Sequence, residues 1–121
     1  MQDYIRLACA VTPVQVGNVL KNAEDICAYM EKADAQNVDV VVFPELALTG
    51  YSCADLFFQK SLLDAALAGI KTILACSAEH PSLTAVVGLP WQIDGSLYNC
   101  AAVICGGVLQ GLVKLVASST T

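Results

Sequence analysis

The sequence has little charge and lacks the features that define several common functional classes. Only 14% of its 121 residues are charged, and the net charge is −5, whereas an ordinary soluble domain has about 25% charged residues. The six lysines and arginines are scattered, which excludes the basic stripe that nucleic-acid binding requires. No run of ~18 uncharged apolar residues is present, so no membrane-spanning helix is predicted. The composition therefore favours neither nucleic acid nor membrane as a partner.

Ligands for a structural metal are also scarce. The chain has one histidine, His80, and its six cysteines form no C-x-x-C pair, so no zinc site is predicted. Most of the cysteines lie in apolar segments, where a free thiol behaves as a small hydrophobic group. Residues 1–6 lack the basic start and apolar run of a signal peptide. We therefore expect reduced thiols in a cytoplasmic protein rather than a disulfide framework.

Apolar residues, in contrast, are abundant. They make up 56% of the chain, compared with ~45–50% in an average soluble domain. This excess must enter a core or form a face that contacts another sheet, domain or subunit. We favour the second interpretation, in which the chain is a piece of something larger.

The first half of the chain predicts a βαβ unit. Residues 4–11 form an apolar segment typical of a buried strand. Asn18 is a suitable N-cap for a helix that continues to about Ala35, and Asn37 ends it. Residues 38–43 form the next strand, and strands joined by a helix are expected to be parallel.

The second half predicts one more helix and an antiparallel region. The helix spans residues 61–78, and an apolar strand follows at 83–89. Asp94-Gly95 is typical of a two-residue primed hairpin turn, which joins residues 91–93 to a strand at 97–104. Gly106-Gly107 predicts another turn before a last strand at 108–116. The residues expected on the buried side of the helix are Leu63, Leu67, Ile70 and Leu74.

One carboxylate lies where α/β proteins commonly carry functional groups. The apolar strand ends in Val42-Phe43-Pro44 and is followed directly by Glu45. Loops at the carboxyl ends of strands are anchored yet accessible to solvent. Glu45 is therefore a candidate general base, although taken alone it also fits a surface carboxylate after a strand.

The segment around this carboxylate resembles the nitrilase superfamily of carbon–nitrogen hydrolases. The resemblance rests on Phe43-Pro44-Glu45 with Leu48-Thr49-Gly50-Tyr51. The following Cys53-Ala54-Asp55-Leu56-Phe57-Phe58-Gln59 is similar to the glutaminase domains of glutamine-dependent NAD synthetases. Residues 86–90 and 97–104 match a strand, turn and strand of the same family. These matches follow one another in family order along nearly the whole chain.

The resemblance implies a fold and a set of domain limits. The fold expected is α/β: part of a nitrilase-type α-β-β-α sandwich, with a mixed sheet and helices on one face. Residues 1–116 are expected to form the N-terminal portion of a carbon–nitrogen hydrolase domain, and residues 117–121 a disordered tail.

The resemblance also implies a Glu–Lys–Cys triad and a substrate contact. Glu45 matches the general base, and Lys114 is the candidate for the lysine that stabilises the oxyanion. Tyr51 is a candidate for substrate binding. Lys114 also fits a solvated lysine on an edge strand, and Tyr51 a ring that packs a loop. No cysteine of the chain, Cys53 included, matches the nucleophile, which is expected beyond Thr121; the chain alone is therefore predicted to be inactive.

The activity implied is glutamine hydrolysis. L-glutamine would be the substrate, and its ammonia would serve the ATP-dependent amidation of nicotinic acid adenine dinucleotide to NAD. No cofactor is expected in this chain, whereas ATP and Mg²⁺ are expected in the synthetase domain of the parent. Two alternatives stay open: a fragment of another nitrilase-type amidase or carbamoylase, and a non-catalytic fragment that self-associates. Because the family's fold packs two sheets face to face, the resemblance implies that part of it leaves an apolar sheet surface bare, through which a homo-oligomer is expected to form.

Overall fold

A five-stranded sheet carries two helices on one of its faces in the part of the chain that the structure, a computed structural model, describes: residues 4–15, 18–44, 47–48 and 60–114. In chain order the elements are β1 (Leu7–Cys9), α1 (Val19–Ala35), β2 (Val40–Val42), α2 (Lys60–Ala78), β3 (Thr84–Ile93), β4 (Ser96–Cys105) and β5 (Val108–Lys114). The strand order is β1-β2-β3-β4-β5. The strands β1 to β3 are parallel, and β4 and β5 are antiparallel to their neighbours. This arrangement confirms the predicted α/β class with a mixed sheet.

Helix α1 begins and ends where its sequence predicts. The side chain of Asn18 accepts a hydrogen bond from the backbone N–H of Lys21 at 3.2 Å, which satisfies one of the free donors of the first turn. Asn37 follows the helix with a φ of 60°, a left-handed conformation that asparagine tolerates better than most residues. The apolar residues buried on the inner face of α1 are Val19, Ala23, Ile26, Met30 and Ala33.

The buried face of α2 differs from the prediction. Leu67 is 45% exposed, and Leu63 and Leu74 are only half-buried. Ile70 is buried as predicted, and the other buried positions among the described side chains of α2 are Ala66, Gly69, Ile73 and Ser77. A Cβ at Gly69 would lie 2.8 Å from the Cγ1 of Val19 in α1, so small residues face α1 and allow the helices to approach closely. The large leucines are therefore displaced from the centre of the interface.

The strands depart from the predicted limits in length and in continuity. β1 and β2 cover three residues each, and β1 is mostly exposed rather than buried. β3 continues through Pro90, so residues 83–89 and 91–93 belong to one strand and not to two. The hairpin turn is confirmed: Asp94 and Gly95 have φ values of 50° and 82°, and Ile93 pairs with Ser96.

The two faces of the sheet differ in their cover. The helix-covered face holds the buried residues Ala85, Val87, Leu89, Ala102 and Ile104. Pairing places Leu7, Val108 and Val113 on the opposite face, where they are 67%, 55% and 53% exposed. The sheet thus presents apolar residues on the face without helices. Neither helix in the described ranges has the length and hydropathy needed to cross a membrane.

Candidate active site

The carboxyl ends of β2 and β5 lie at the same edge of the sheet. β2 is parallel to β3, and β5 is antiparallel to β4, which is itself antiparallel to β3. β2 and β5 therefore run in the same direction. After β2, the backbone N–H of Phe43 donates to the carbonyl of Val86 at 2.9 Å, so the chain keeps to the sheet as far as Pro44. Lys114, the last residue of β5, lies at this edge.

The strand register fixes how far β5 extends towards this edge. One row of paired residues crosses the four strands from β2 to β5: Val42, Val86, Val103 and Gly111. Lys114 is three residues beyond this row on β5, and in the sequence Glu45 is three residues beyond it after β2. Three inter-strand spacings of ~4.8 Å separate the backbones of β2 and β5 by ~14 Å. Glu45 and Tyr51 themselves lie outside the described residues.

Lys114 is exposed and lies beside an aromatic ring. It pairs with Cys100 of β4, whose side chain is fully buried on the helix-covered face. Its ammonium nitrogen lies 4.4 Å from the centroid of the Tyr98 ring. Because paired residues share a face and residues two apart along a strand do too, Lys114 and Tyr98 project from the same side of the sheet. The ring contact holds the ammonium close to the edge where β2 also ends.

The segment that follows β2 is fixed at both of its described ends. The backbone N–H of Ala47 donates to the carbonyl of Pro44 at 3.0 Å. Leu48 is fully buried. Its carbonyl accepts a hydrogen bond from the side-chain amide of Asn22 in α1 at 2.9 Å. The described residues on the two sides of Glu45 are thus held by hydrogen bonds, Pro44 to Ala47 and Leu48 to Asn22.

Residues 6–109 match the family model of the carbon–nitrogen hydrolases. The chain belongs to the carbon–nitrogen hydrolase family. This confirms the resemblance drawn from the Phe43-Pro44-Glu45 segment, and the matched range includes every described strand in whole or in part.

The similar proteins fall into two groups of carbon–nitrogen hydrolases. A glutamine-dependent NAD(+) synthetase of Xylella fastidiosa is 40% identical over 111 residues, which are 91% of this chain and 20% of that protein. The solved glutamine-dependent NAD+ synthetase of Acinetobacter baumannii, in complex with ADP, gives a TM-score of 0.71 at 27% identity over 88% of this chain and 20% of that one. A nitrilase-superfamily amidase of Nesterenkonia gives 0.80 at 16% identity, covering 97% of this chain and 45% of that one. The chain therefore spans about a fifth of the length of these NAD synthetases.

Three of the described thiols of this carbon–nitrogen hydrolase chain are in packing positions, whereas Cys9 is exposed. Cys100 is fully buried in β4. Cys27 and Cys76 lie between α1 and α2, and burial, with a smaller effect of the neighbouring Cys76 thiol, raises the pKa of Cys27 to about 12. Burial also raises the pKa of Cys76. A thiol held in its protonated form is a poor nucleophile. These three sites fit the predicted role of reduced core cysteines, and Cys53 lies outside the described residues.

Two polar arrangements were not predicted from the sequence. The first is the amide of Asn22, which has no local signal because its partners lie 7 and 26 residues away. The second joins His80 Nδ1 to Asp34 Oδ2 at 2.6 Å, where Asp34 is in the last turn of α1 and His80 precedes β3. This pair lies near the amino-terminal ends of β2 and β3, at the edge opposite Lys114. It fastens α1 to the turn that leads into β3 and is separate from the candidate site.

Proposed function

We propose that this chain forms part of the glutaminase unit of a glutamine-dependent NAD synthetase. Glu45 acts as the general base, Lys114 stabilises the oxyanion, and Tyr51 contacts the substrate. The parent hydrolyses L-glutamine and uses the ammonia for the ATP-dependent amidation of nicotinic acid adenine dinucleotide to NAD. The 40% identity to the Xylella enzyme supports this proposal. The observation that carries it is the common sheet edge at which β2 and β5 both end.

The chemistry assigned to each group follows from its type. In the proposal Glu45 takes the proton of a cysteine thiol, and the thiolate attacks the amide carbon of glutamine. Lys114 lowers the energy of the tetrahedral intermediate by placing a positive charge beside its oxyanion. The C–N bond then breaks, ammonia leaves, and water hydrolyses the thioester to glutamate and free thiol. In the proposal that thiol is supplied by another part of the parent protein. ATP and Mg²⁺ belong to the synthetase part of the parent.

The test uses a hybrid enzyme in which this chain replaces the matching 111 residues of the Xylella synthetase. NAD formation is measured with glutamine and, separately, with ammonia, which bypasses the glutaminase. Glu45→Gln should lower the glutamine-dependent rate ~10²–10⁴-fold, and Lys114→Met ~10²–10³-fold. Neither change should alter the ammonia-dependent rate. Glutamine-dependent turnover that survives both substitutions would contradict the proposal.

If the hybrid does not fold, the same substitutions are made in the Xylella enzyme at the residues that align with Glu45 and Lys114. The isolated chain provides a further comparison, since it is predicted to release no ammonia from glutamine. Ammonia release that Cys53→Ala abolishes would show that the nucleophile has been misassigned.

The amidase alternative has weaker support. The Nesterenkonia amidase matches the fold at 16% identity, which bears on architecture alone. The amidase alternative predicts that the hybrid enzyme hydrolyses short aliphatic amides in preference to glutamine, whereas the glutaminase proposal predicts the reverse order. Measuring kcat/KM for both substrates decides between them.

Self-association through the open sheet face is also part of the proposal. The exposed apolar residues Leu7, Val108 and Val113 on that face support it, because exposed apolar surface can mark a contact site. A cytoplasmic location is proposed as well, since the described cysteines have free thiols, the usual state in a reducing compartment.

A further inference from the structure

The side chain of Asn22 is buried and fully used in hydrogen bonds. It is 1% exposed, although it lies in the first turns of α1. Its Oδ1 accepts from the backbone N–H of Gln15 at 2.8 Å. Its Nδ2 donates to the carbonyl of Gln15 at 2.8 Å and to that of Leu48 at 2.9 Å. Because a carboxamide has an acceptor and two donor hydrogens, this set uses both of its ends.

The two partners of Asn22 belong to the segments that leave the sheet at the edge where β2 and β5 both end. Gln15 follows β1, and Leu48 follows β2. Both strands are parallel, so these segments emerge on the same side. Asn22 therefore joins them to each other and to α1, and Leu48 is only three residues after Glu45.

The side chain of Leu48 is also held from the direction of α2. It is fully buried, and a Cβ added at Gly69 would lie 3.1 Å from its Cδ1. The same Cβ would lie 2.8 Å from the Cγ1 of Val19. Leu48 thus occupies a pocket between both helices while its carbonyl is held by Asn22. The flank after Glu45 is fixed by these contacts, and the flank before it by the hydrogen bond between Phe43 and Val86.

We propose that Asn22 is a positioning residue for Glu45, an inference that rests on the proposed function. Asn22 acts through the carbonyl of Leu48, three residues after Glu45 in the sequence, by fixing the point at which the chain that follows Glu45 is held against α1. A general base must lie within hydrogen-bonding distance of the proton it removes. A shift of ~1 Å, produced away from the chemistry, costs ~10²-fold in rate.

The main test is Asn22→Asp in the hybrid enzyme. The aspartate keeps an acceptor for the Gln15 N–H but places an oxygen against two carbonyl groups, so the Leu48 contact is lost. We expect glutamine-dependent kcat to fall ~10–100-fold, with the KM for glutamine and the ammonia-dependent rate changed less than about 3-fold. We also expect the acid limb of the pH profile of kcat/KM to move, because this limb reports the essential base of the free enzyme.

A matched control separates positioning from general loss of stability. Ile26 is fully buried on the same face of α1, one turn further on. Ile26→Ala should lower the melting temperature while leaving the acid limb in place. Gly69→Ala, which leaves Asn22 intact but pushes on Leu48 from α2, should move the acid limb as Asn22→Asp does. This second variant carries the test if Asn22→Asp does not fold.

The outcomes distinguish this inference from the proposed function. If Glu45→Gln keeps full glutamine-dependent activity, the assignment of the base is wrong and the positioning role is lost with it. If Glu45→Gln is inactive but folded Asn22→Asp keeps kcat and the acid limb, the inference about Asn22 is wrong. The inference is also overturned if Ile26→Ala moves the acid limb as far as Asn22→Asp, because that result would indicate a purely structural effect.

Discussion

The ammonium nitrogen of Lys114 lies over the Tyr98 ring, 4.4 Å from its centroid. Tyr98 pairs directly with Trp91 across β3 and β4, and Trp91 packs against the hydrophobic core. An aromatic pair therefore connects the core to the lysine at the end of β5. The exposed Lys114 thus has Tyr98 as a fixed neighbour at the edge where β2 and β5 end.

We expect the contact between Lys114 and Tyr98 to contribute measurable coupling. A double-mutant cycle with Tyr98→Leu and Lys114→Met in the isolated chain should give about 0.5–1 kcal/mol, as cation–π contacts do at exposed sites. Urea unfolding provides the measurement. Tyr98→Phe keeps the ring and serves as the control, so Lys114 should interact with the phenylalanine ring almost as strongly as with the ring of Tyr98. If Lys114 interacts equally strongly with leucine and with phenylalanine at position 98, the ring is not responsible.

Gly107 and Gly95 should respond differently to alanine. Both have positive φ values, 79° and 82°, so alanine at either carries a backbone penalty of about 1–2 kcal/mol. A Cβ at Gly107 would also lie 2.8 Å from the Cβ of Ala78, whereas a Cβ at Gly95 would have nothing within 4 Å. Gly107→Ala should therefore lower the free energy of unfolding by about 1–3 kcal/mol more than Gly95→Ala. Urea unfolding compares the two, and equal losses would contradict the predicted contact with Ala78.

The stability of the fold should fall at high pH through Cys27. Burial raises the pKa of this thiol from an ordinary value of 9.0 to about 12, so the unfolded chain releases the proton at lower pH than the folded chain. The contribution to stability is complete below about pH 9 and is lost as the pH rises towards 12. Unfolding measured from pH 7 to 11 should show a steeper decline for the original chain than for Cys27→Ala. Parallel curves would show that Cys27 is not the group responsible.

The open sheet face should govern self-association. Leu7 on β1 is 67% exposed, and Leu20 on the outer side of α1 is 63% exposed, so the two leucines differ in location and hardly in exposure. Leu7→Lys should reduce self-association measured by light scattering, because a charge on an edge strand opposes contact with another chain. Leu20→Lys should leave it unchanged. Association that responds equally to both substitutions would exclude the sheet face as the specific contact.

Local signals in the sequence predicted the elements well, and their failures have physical causes. The cap at Asn18 and the Asp94-Gly95 turn depend on neighbouring residues, and both are confirmed. The prediction that Leu63, Leu67 and Leu74 are buried in α2 was wrong because it favoured large apolar residues. The need for a small residue at Gly69 becomes visible only when α1 packs against α2. β1 was expected to be buried, but it is an outermost strand of the sheet and Leu7 lies on the face without helices, so Leu7 is exposed.

The candidate site likewise combines residues that could be proposed from the sequence with contacts that only the folded chain shows. Glu45 could be proposed from a local pattern, the end of an apolar strand, and Lys114 and Tyr51 from the family resemblance; the roles of all three stay predictions. That β2 and β5 end at a common edge depends on the pairing of four strands. The role of Asn22 depends on two segments that only the folded chain brings together. Such contacts carry no signal in a short window of sequence.

The strand order across the sheet is identical to the strand order along the chain. Each of the five described strands can dock onto the one synthesised just before it, so none of these five has to wait for a later strand or insert between two others. As the polypeptide emerges from the ribosome, the sheet can grow outward from β1 one strand at a time. The pairings among β3, β4 and β5 join residues at most 21 positions apart, which favours their rapid formation. The parallel pairings of β1 with β2 and of β2 with β3 join residues 33 and 44 positions apart, so these are the slow steps of sheet formation.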